Sequence, residues 1–176
     1  MNYHNITYPD MNNGDGLRVV LWLSGCSHHC YNCQNPQTWD VNSGILFDES
    51  AKEELFRELE KDYISGLTLS GGDPLYEANL DGVLDLVNKF RLSFPNKSIW
   101  IYSGYQWSEI FNDGVYLTKN CVGWKRREII KQCTVMVDGR YIDSQRNPQA
   151  KWKGSDNQMV INIPESLKQG KVITLV

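Results

Sequence analysis

No run of about 18 apolar residues occurs anywhere in this chain of 176 residues, so nothing in it reads as a membrane span. The opening Met1-Asn2-Tyr3-His4-Asn5-Ile6 lacks the basic and apolar regions of a secretory leader. Internal repeats, low-complexity tracts and a composition break that would mark a linker are missing too. These absences predict one domain over 1–176, placed in the cytoplasm, where thiols stay reduced. Histidine is scarce, three in all, and no obvious His–carboxylate pair presents itself for acid–base work. A disulfide framework is excluded as well, because five cysteines is an odd count and three of them are crowded together. With 41% hydrophobic and 22% charged residues, the composition is that of an ordinary globular protein with enough chain to bury a core.

Charge is unevenly spread. Residues 1–90 hold 5 Lys/Arg against 14 Asp/Glu, and residues 91–176 hold 13 against 7. The basic excess is densest at Lys119, Lys125, Arg126, Arg127, Lys131, Arg140, Arg146, Lys151 and Lys153, with Trp124, Tyr141 and Trp152 interleaved. Such a pattern could mark a nucleic-acid footprint. A sequence pI of about 5.6 argues against one, so the expectation is a solvated basic face that meets an acidic partner or substrate, with no nucleic acid and no membrane.

What is present in concentration is sulfur. Cys26, Cys30 and Cys33 form a C-x3-C-x2-C loop with no fourth cysteine nearby. Thiolates suit iron–sulfur clusters. A cube normally takes four ligands, so one held by three keeps an iron open for chemistry. The competing reading is a zinc site, which wants four ligands, usually as two separated pairs. His28 or His29 could supply a fourth, but both sit inside a spacer that must already wrap the metal. Spacing therefore favours iron, with the histidines packing the loop or supporting it from behind. Cys121 and Cys133 read as non-ligands, and Trp22, Trp39 and Trp100 as core or supporting aromatics.

Around this loop the chain alternates strand and helix. Strands are expected over 17–23, 64–69, 98–102 and 134–137. Helices are expected from Asp48 through Leu55, Phe56 and Leu59, over 80–90, over 107–111 and over 126–131. Two late strands, 158–163 and 172–176, follow a polar loop over 140–156. The pattern predicts an α/β fold on a mostly parallel sheet. Ligands of such sheets bind beyond the carboxyl ends of the strands. The glycine-rich turns Ser70-Gly71-Gly72-Asp73-Pro74 and Ser103-Gly104-Tyr105 lie there with the cysteine loop. Exposed carbonyls of the paired glycines would suit an ammonium-bearing ligand. Gly14-Asp15-Gly16-Leu17-Arg18 reads as a turn. Asp138 could face the site or sit in a hairpin turn, and the polar run from Lys153 to Gln158 could bind a ligand or be a plain loop.

Taken together, these residues resemble the radical S-adenosylmethionine (SAM) superfamily, and within it the glycyl-radical activases that serve anaerobic ribonucleoside-triphosphate reductases. The likeness rests on Asp15-Gly16-Leu17-Arg18, the run Gly25 to Asn35 with Trp39, Gly71-Gly72-Asp73-Pro74-Leu75, Tyr102-Ser103-Gly104-Tyr105 and Gly154-Ser155-x-Asn157-Gln158. It implies an incomplete (βα) barrel in which Cys26, Cys30 and Cys33 hold a [4Fe–4S] cluster whose open iron chelates SAM. It further implies that Gly71, Gly72 and Asp73 line the methionine end and that Asn32, Cys33 and Gln34 lie against adenine through their backbone. Ser103 would reach the same pocket. The implied reaction is reductive cleavage of SAM to a 5′-deoxyadenosyl radical, which takes a hydrogen from a glycine of the partner. Partners would be the glycyl-radical subunit of the reductase, docked near 140–156, and a low-potential electron donor. Two positions depart from the family pattern: Asn32 stands where an aromatic residue is common, and Asp73 where glutamate is. Alternatives are an activase of another glycyl-radical enzyme, such as pyruvate formate-lyase, whose members are generally longer, and a zinc-stabilised binding module.

Overall fold

The computed structural model of the chain describes residues 1–111 and 118–176. Seven strands form one sheet in the order β3-β1-β2-β4-β5-β6-β7: β1 (Asn2–Asp10), β2 (Leu17–Leu23), β3 (Ile45–Leu46), β4 (Ile64–Gly71), β5 (Ser98–Tyr102), β6 (Val135–Asp138) and β7 (Met159–Asn162). The four middle strands β2, β4, β5 and β6 run parallel. Both margins are antiparallel, with β1 on β2, β3 on β1, and β7 on β6. The sheet is thus mixed, and "mostly parallel" holds for its centre. β1 has no counterpart in the sequence reading. Only Tyr3 and Ile6 of its nine residues are buried, too sparse a pattern to announce a strand.

The helices follow from their own end signals and apolar stripes. α1 (Glu49–Leu59) starts where the Asp48 side chain accepts from the Ala51 N–H, and it buries Leu55 and Leu59. α2 (Leu80–Ser93) buries Leu80, Val83, Leu86, Val87 and Phe90 and stops ahead of Pro95. α3 (Trp107–Ile110) is a single turn. α4 (Val122–Gln132) begins four residues before the expected start, capped by the Cys121 sulfur, which accepts from the Trp124 N–H. α5 (Ile163–Gln169) begins at the last residue of the expected strand 158–163 and fills most of the stretch between the two expected late strands, from its Asn162 cap to Gly170 at φ 66°. Residues 172–176 form no strand, contributing only the bridge of Thr174 to Ile161.

From β2 to β6 each crossover steps the same way across the sheet, and crossovers of one hand then fall on one face. The packing agrees. Leu21, Leu23, Leu67, Leu69, Ile99, Ile101, Met136 and Ile161 meet helical residues in one core cluster. The opposite face carries a smaller cluster of Trp100, Val135, Val137 and Val160, with Tyr102 and Trp152 against it.

That second face is pinned at its lower end by Arg18, which is fully buried. Its Nε donates to Thr68 Oγ1 at 2.7 Å, Nη1 to Ser98 Oγ at 2.9 Å and Asp15 O at 3.0 Å, and Nη2 to Leu67 O at 2.7 Å. Burial pulls its pKa down to about 10. The Gly14–Gly16 turn brings the chain against this side chain, since a Cβ on Gly14 would lie 2.8 Å from both Arg18 and Trp100. Replacing Arg18 by methionine strands the acceptors on β4 and β5. We expect a loss of about 3 kcal/mol, at 1–3 kcal/mol per buried unsatisfied group, read as a lower urea midpoint. An unchanged midpoint refutes this role for Arg18.

Candidate metal and SAM site

Four loops leave the carboxyl ends of the parallel strands and meet around one cavity of about 490 Å³. β2 supplies the cysteine loop, β4 the Gly71-Gly72-Asp73 turn, β5 Ser103-Gly104, and β6 Gly139-Arg140-Tyr141. Cys26, Cys30, Cys33, Gln34, Gly71, Gly72, Asp73 and Ser103 all line it. Asn32 is exposed and does not.

The cysteine loop is shaped by its backbone. Gly25 N donates to Thr38 O at 2.7 Å and Cys26 N to Trp39 O at 3.0 Å, so the returning segment holds the loop's start. His29 at φ 46° and Asn32 at φ 54° then reverse the chain twice. Asparagine tolerates this left-handed region far better than aromatic residues do, which accounts physically for Asn32 in place of an aromatic. The β4 turn lies directly on this loop. Gly72 N donates to Leu23 O at 2.7 Å and Asp73 N to Gly25 O at 2.8 Å. A Cβ on Gly72 would sit 2.5 Å from Gly25 O, so only glycine permits the approach.

Asp73 is 1% exposed and saturated. Its carboxylate accepts from Ser103 Oγ at 2.9 Å, Gly104 N at 2.9 Å, Leu75 N at 2.8 Å and His28 Nε2 at 2.8 Å. A His–carboxylate pair therefore exists, although none was obvious in the sequence, where 45 positions separate the partners. Ser103 is positioned by this network and also accepts from Tyr105 N.

All five cysteines are free. Burial pushes the Cys26 thiol up to about 11, opposed by the N–H groups of His28 and His29. It raises the Cys30 thiol too, opposed by the Tyr141 N–H and the Arg140 guanidinium. A metal must displace these protons to bind. Cys133 is buried, with its thiol pushed up to about 12, and donates to Ile129 O. Cys121 caps α4. Both lie outside the cavity, as expected.

Other candidates prove internal. Asp138 accepts from Trp107 N and Met159 N, joining α3 and β7 to the end of β6 rather than lining the cavity. Gln158 Oε1 accepts from Gly154 N and Ser155 N while its Nε2 donates to Gly139 O, and Asn157 Nδ2 donates to Arg140 O. The Gly-Ser-x-Asn-Gln run thus folds the 140–156 segment against the site. Much of the basic patch is consumed as well. Lys125 pairs with Asp81 and Lys131 with Glu128, Arg126 donates to Leu75 O and Tyr105 Oη, and Arg127 to Ile110 O.

The family model for a 4Fe-4S single cluster domain matches residues 12–161. An anaerobic ribonucleoside-triphosphate reductase-activating protein of Enterobacteria phage T4 is 41% identical over 160 residues, covering 90% of this chain and 92% of that protein. Proteins of the same name from Haemophilus influenzae and Escherichia coli K12 are 34% and 35% identical over 162 residues, each covering 91% of this chain and 97% of the relative. The chain belongs to the anaerobic ribonucleoside-triphosphate reductase-activating proteins.

The donor set of this activating protein fits an iron–sulfur cluster. Three partly buried thiols from one loop face a common cavity, with backbone N–H groups directed at all three sulfurs, Asn35 N to Cys33 Sγ at 3.4 Å among them. Among the described residues, no three His, Cys, Asp or Glu side chains gather closely enough for a single metal ion. A cluster spreads its ligands over separate irons, so this looser trio suits it better than one zinc. No helix among the described residues is long and apolar enough to cross a membrane. Anaerobic reconstitution of Cys26→Ser, Cys30→Ser or Cys33→Ser should leave iron and sulfide at a small fraction of the unmodified level, whereas Cys121→Ser retains both. Full iron in any of the first three excludes that cysteine as a ligand.

Proposed function

We propose that the chain installs a glycyl radical on an anaerobic ribonucleoside-triphosphate reductase, with Cys26, Cys30 and Cys33 as the ligands of its cluster. The cluster, once bound there and reduced by a low-potential donor, would supply the electron that breaks the sulfonium C–S bond of SAM, leaving methionine and a 5′-deoxyadenosyl radical able to take the glycine α-hydrogen. The observation that carries this reading is the direct hydrogen bonding of the Gly71-Gly72-Asp73 turn onto the three-cysteine loop across one cavity.

The protein's own share is binding and orientation. Because the Asp73 carboxylate is saturated and its carbonyl already accepts from Tyr76 N and Asn79 Nδ2, Asp73 would line the methionine end while the backbone carbonyls of Gly71 and Gly72 meet the ammonium. Cys33 and Gln34 would face adenine through their backbone, with Asn32 setting the turn that presents them. Ser103, held by Asp73, would border the pocket without needing to move a proton. The 140–156 segment and the loop around Asn12 and Asn13 flank the cavity and would keep water from the radical. The sheet, with the described helices packed on one face, supports the incomplete (βα) barrel whose open side would admit the partner's glycine loop. The relatives' names favour the reductase over other glycyl-radical enzymes.

Exposed charge on the 140–156 segment supports its role in docking, but the four basic residues there are unequal. Lys153 Nζ donates to Asp156 O and Gln158 O, and Arg140 lines the cavity, so both belong to the site's framework. Arg146 is exposed and lies outside it, and Lys151 stands 3.9 Å from the centre of the Trp152 ring. The double variant Arg146→Glu with Lys151→Glu should lower activation of the reductase about tenfold, as rim charges act mainly on association. Cleavage of SAM without the reductase should stay within about twofold of the unmodified rate. Equal loss in both assays rejects the docking assignment.

A further inference from the structure

We infer that His28 is a positioning residue that locks the cysteine loop to the SAM-lining turn through the Asp73 carboxylate, so that both halves of the site hold one fixed relation. The inference rests on the proposed SAM reading and deepens it.

His28 lies between Cys26 and Cys30, yet its Nε2 is committed to Asp73 Oδ2 at 2.8 Å, with the two side chains 5% and 2% exposed. The imidazole is clamped on its other sides. Its ring meets Tyr105 edge-on at 4.6 Å between centres. Gly104 leaves room for it, since a Cβ there would fall 2.2 Å from His28 Cδ2. Tyr105 is itself backed by Arg126, whose guanidinium lies 3.9 Å from the ring centre and also donates to Leu75 O, next to the Asp73 turn. A closed circuit results: cysteine loop, His28, Asp73 and the β4 turn, with a second path through Tyr105 and α4. A buried imidazole donating to a carboxylate is a short, directional strut, and hydrogen bonds involving a charged group are the stronger kind. It also gives a physical reason for the short acid at position 73. One more methylene would drive the carboxylate into the ring, so aspartate and His28 act as a matched pair.

If the strut works this way, removing it should leave the three thiols able to take up a cluster but free to shift against the surface that receives SAM. The test uses the full chain, reconstituted anaerobically, as His28→Ala, His28→Gln, Asp73→Glu and Asp73→Glu with His28→Ala. Iron content and the electron paramagnetic resonance signal of the reduced protein, titrated with SAM, are the readouts. His28→Ala should retain iron near the unmodified level, while about tenfold more SAM is needed to change the signal, the equivalent of about 1.4 kcal/mol. His28→Gln, whose amide can still donate to Asp73, should recover most of that loss. Asp73→Glu should be impaired, and adding His28→Ala should relieve it. The proposal is overturned if His28→Ala titrates like the unmodified chain, if it loses its iron, or if the glutamine variant folds but gains nothing. Should His28→Ala fail to fold, the two Asp73 variants decide, and absence of relief in the double variant rejects the matched pair. An unmodified chain that is loaded with iron yet shows no response to SAM would instead remove the SAM reading itself.

Discussion

Four parallel strands end at one rim, and nothing in sheet geometry alone obliges the loops beyond them to stay together. Loops carry few ladder hydrogen bonds, and their closure costs entropy. Here one buried carboxylate supplies the missing connection. Asp73 takes hydrogen bonds from the cysteine loop, from its own turn and from the loop after β5. These donors come from the loops after three different strands, so the carboxylate fixes relative positions that no single loop determines. Burying an unpaired charge is costly, which is why every neighbour is a donor. The cavity keeps its shape because the group that organises it has no spare bonding capacity.

Arg18 solves the matching problem at the opposite end of the same strands. Its guanidinium spans β2, β4 and β5 through a hydroxyl pair and backbone carbonyls, with no carboxylate of the described residues bonded to it. The sheet is thereby pinned at both ends by buried ionic groups satisfied largely by neutral partners. Between the pins, the helix-facing side is closed by aliphatic packing, and the other side stays partly polar. A site built on that second face inherits rigidity from both pins without a hydrophobic plug filling the space a ligand needs.

Much of this was legible in the sequence, for identifiable reasons. β2, β4 and β5 announced themselves because central parallel strands are buried on both faces and read as dense apolar runs. The cysteine spacing and the paired glycines pointed to the site because their chemistry is local: three thiols in one loop, and a turn that admits no Cβ. What stayed hidden depended on distance along the chain. The His28–Asp73 pair joins residues from different loops, and Arg18 read only as the end of a turn leading into the first strand. β1 lacked a sufficient apolar pattern. α5 did carry its signals, an Asn162 cap, Pro164 in the first turn and Gly170 at the end. Its seven residues were too few to show a helical stripe against the apolar run preceding them. The basic cluster over 119–131 misled for a related reason: composition counts charges, whereas the fold spends Arg126 and Arg127 on backbone carbonyls and Lys125 and Lys131 on ion pairs.

The segment over 140–156 unites the remaining observations. Gln158 and Asn157 tie it to the end of β6, and the Trp152 ring meets Trp100 edge-on at 4.8 Å on the non-helical face. Its Tyr141 N–H and Arg140 guanidinium both act on the Cys30 thiol, favouring the thiolate that a cluster requires. Hydrogen bonds to cluster sulfurs help set reduction potential. The same segment exposes Arg146 on its outer side. One segment therefore meets Cys30, a proposed cluster ligand, from within and presents charge outward.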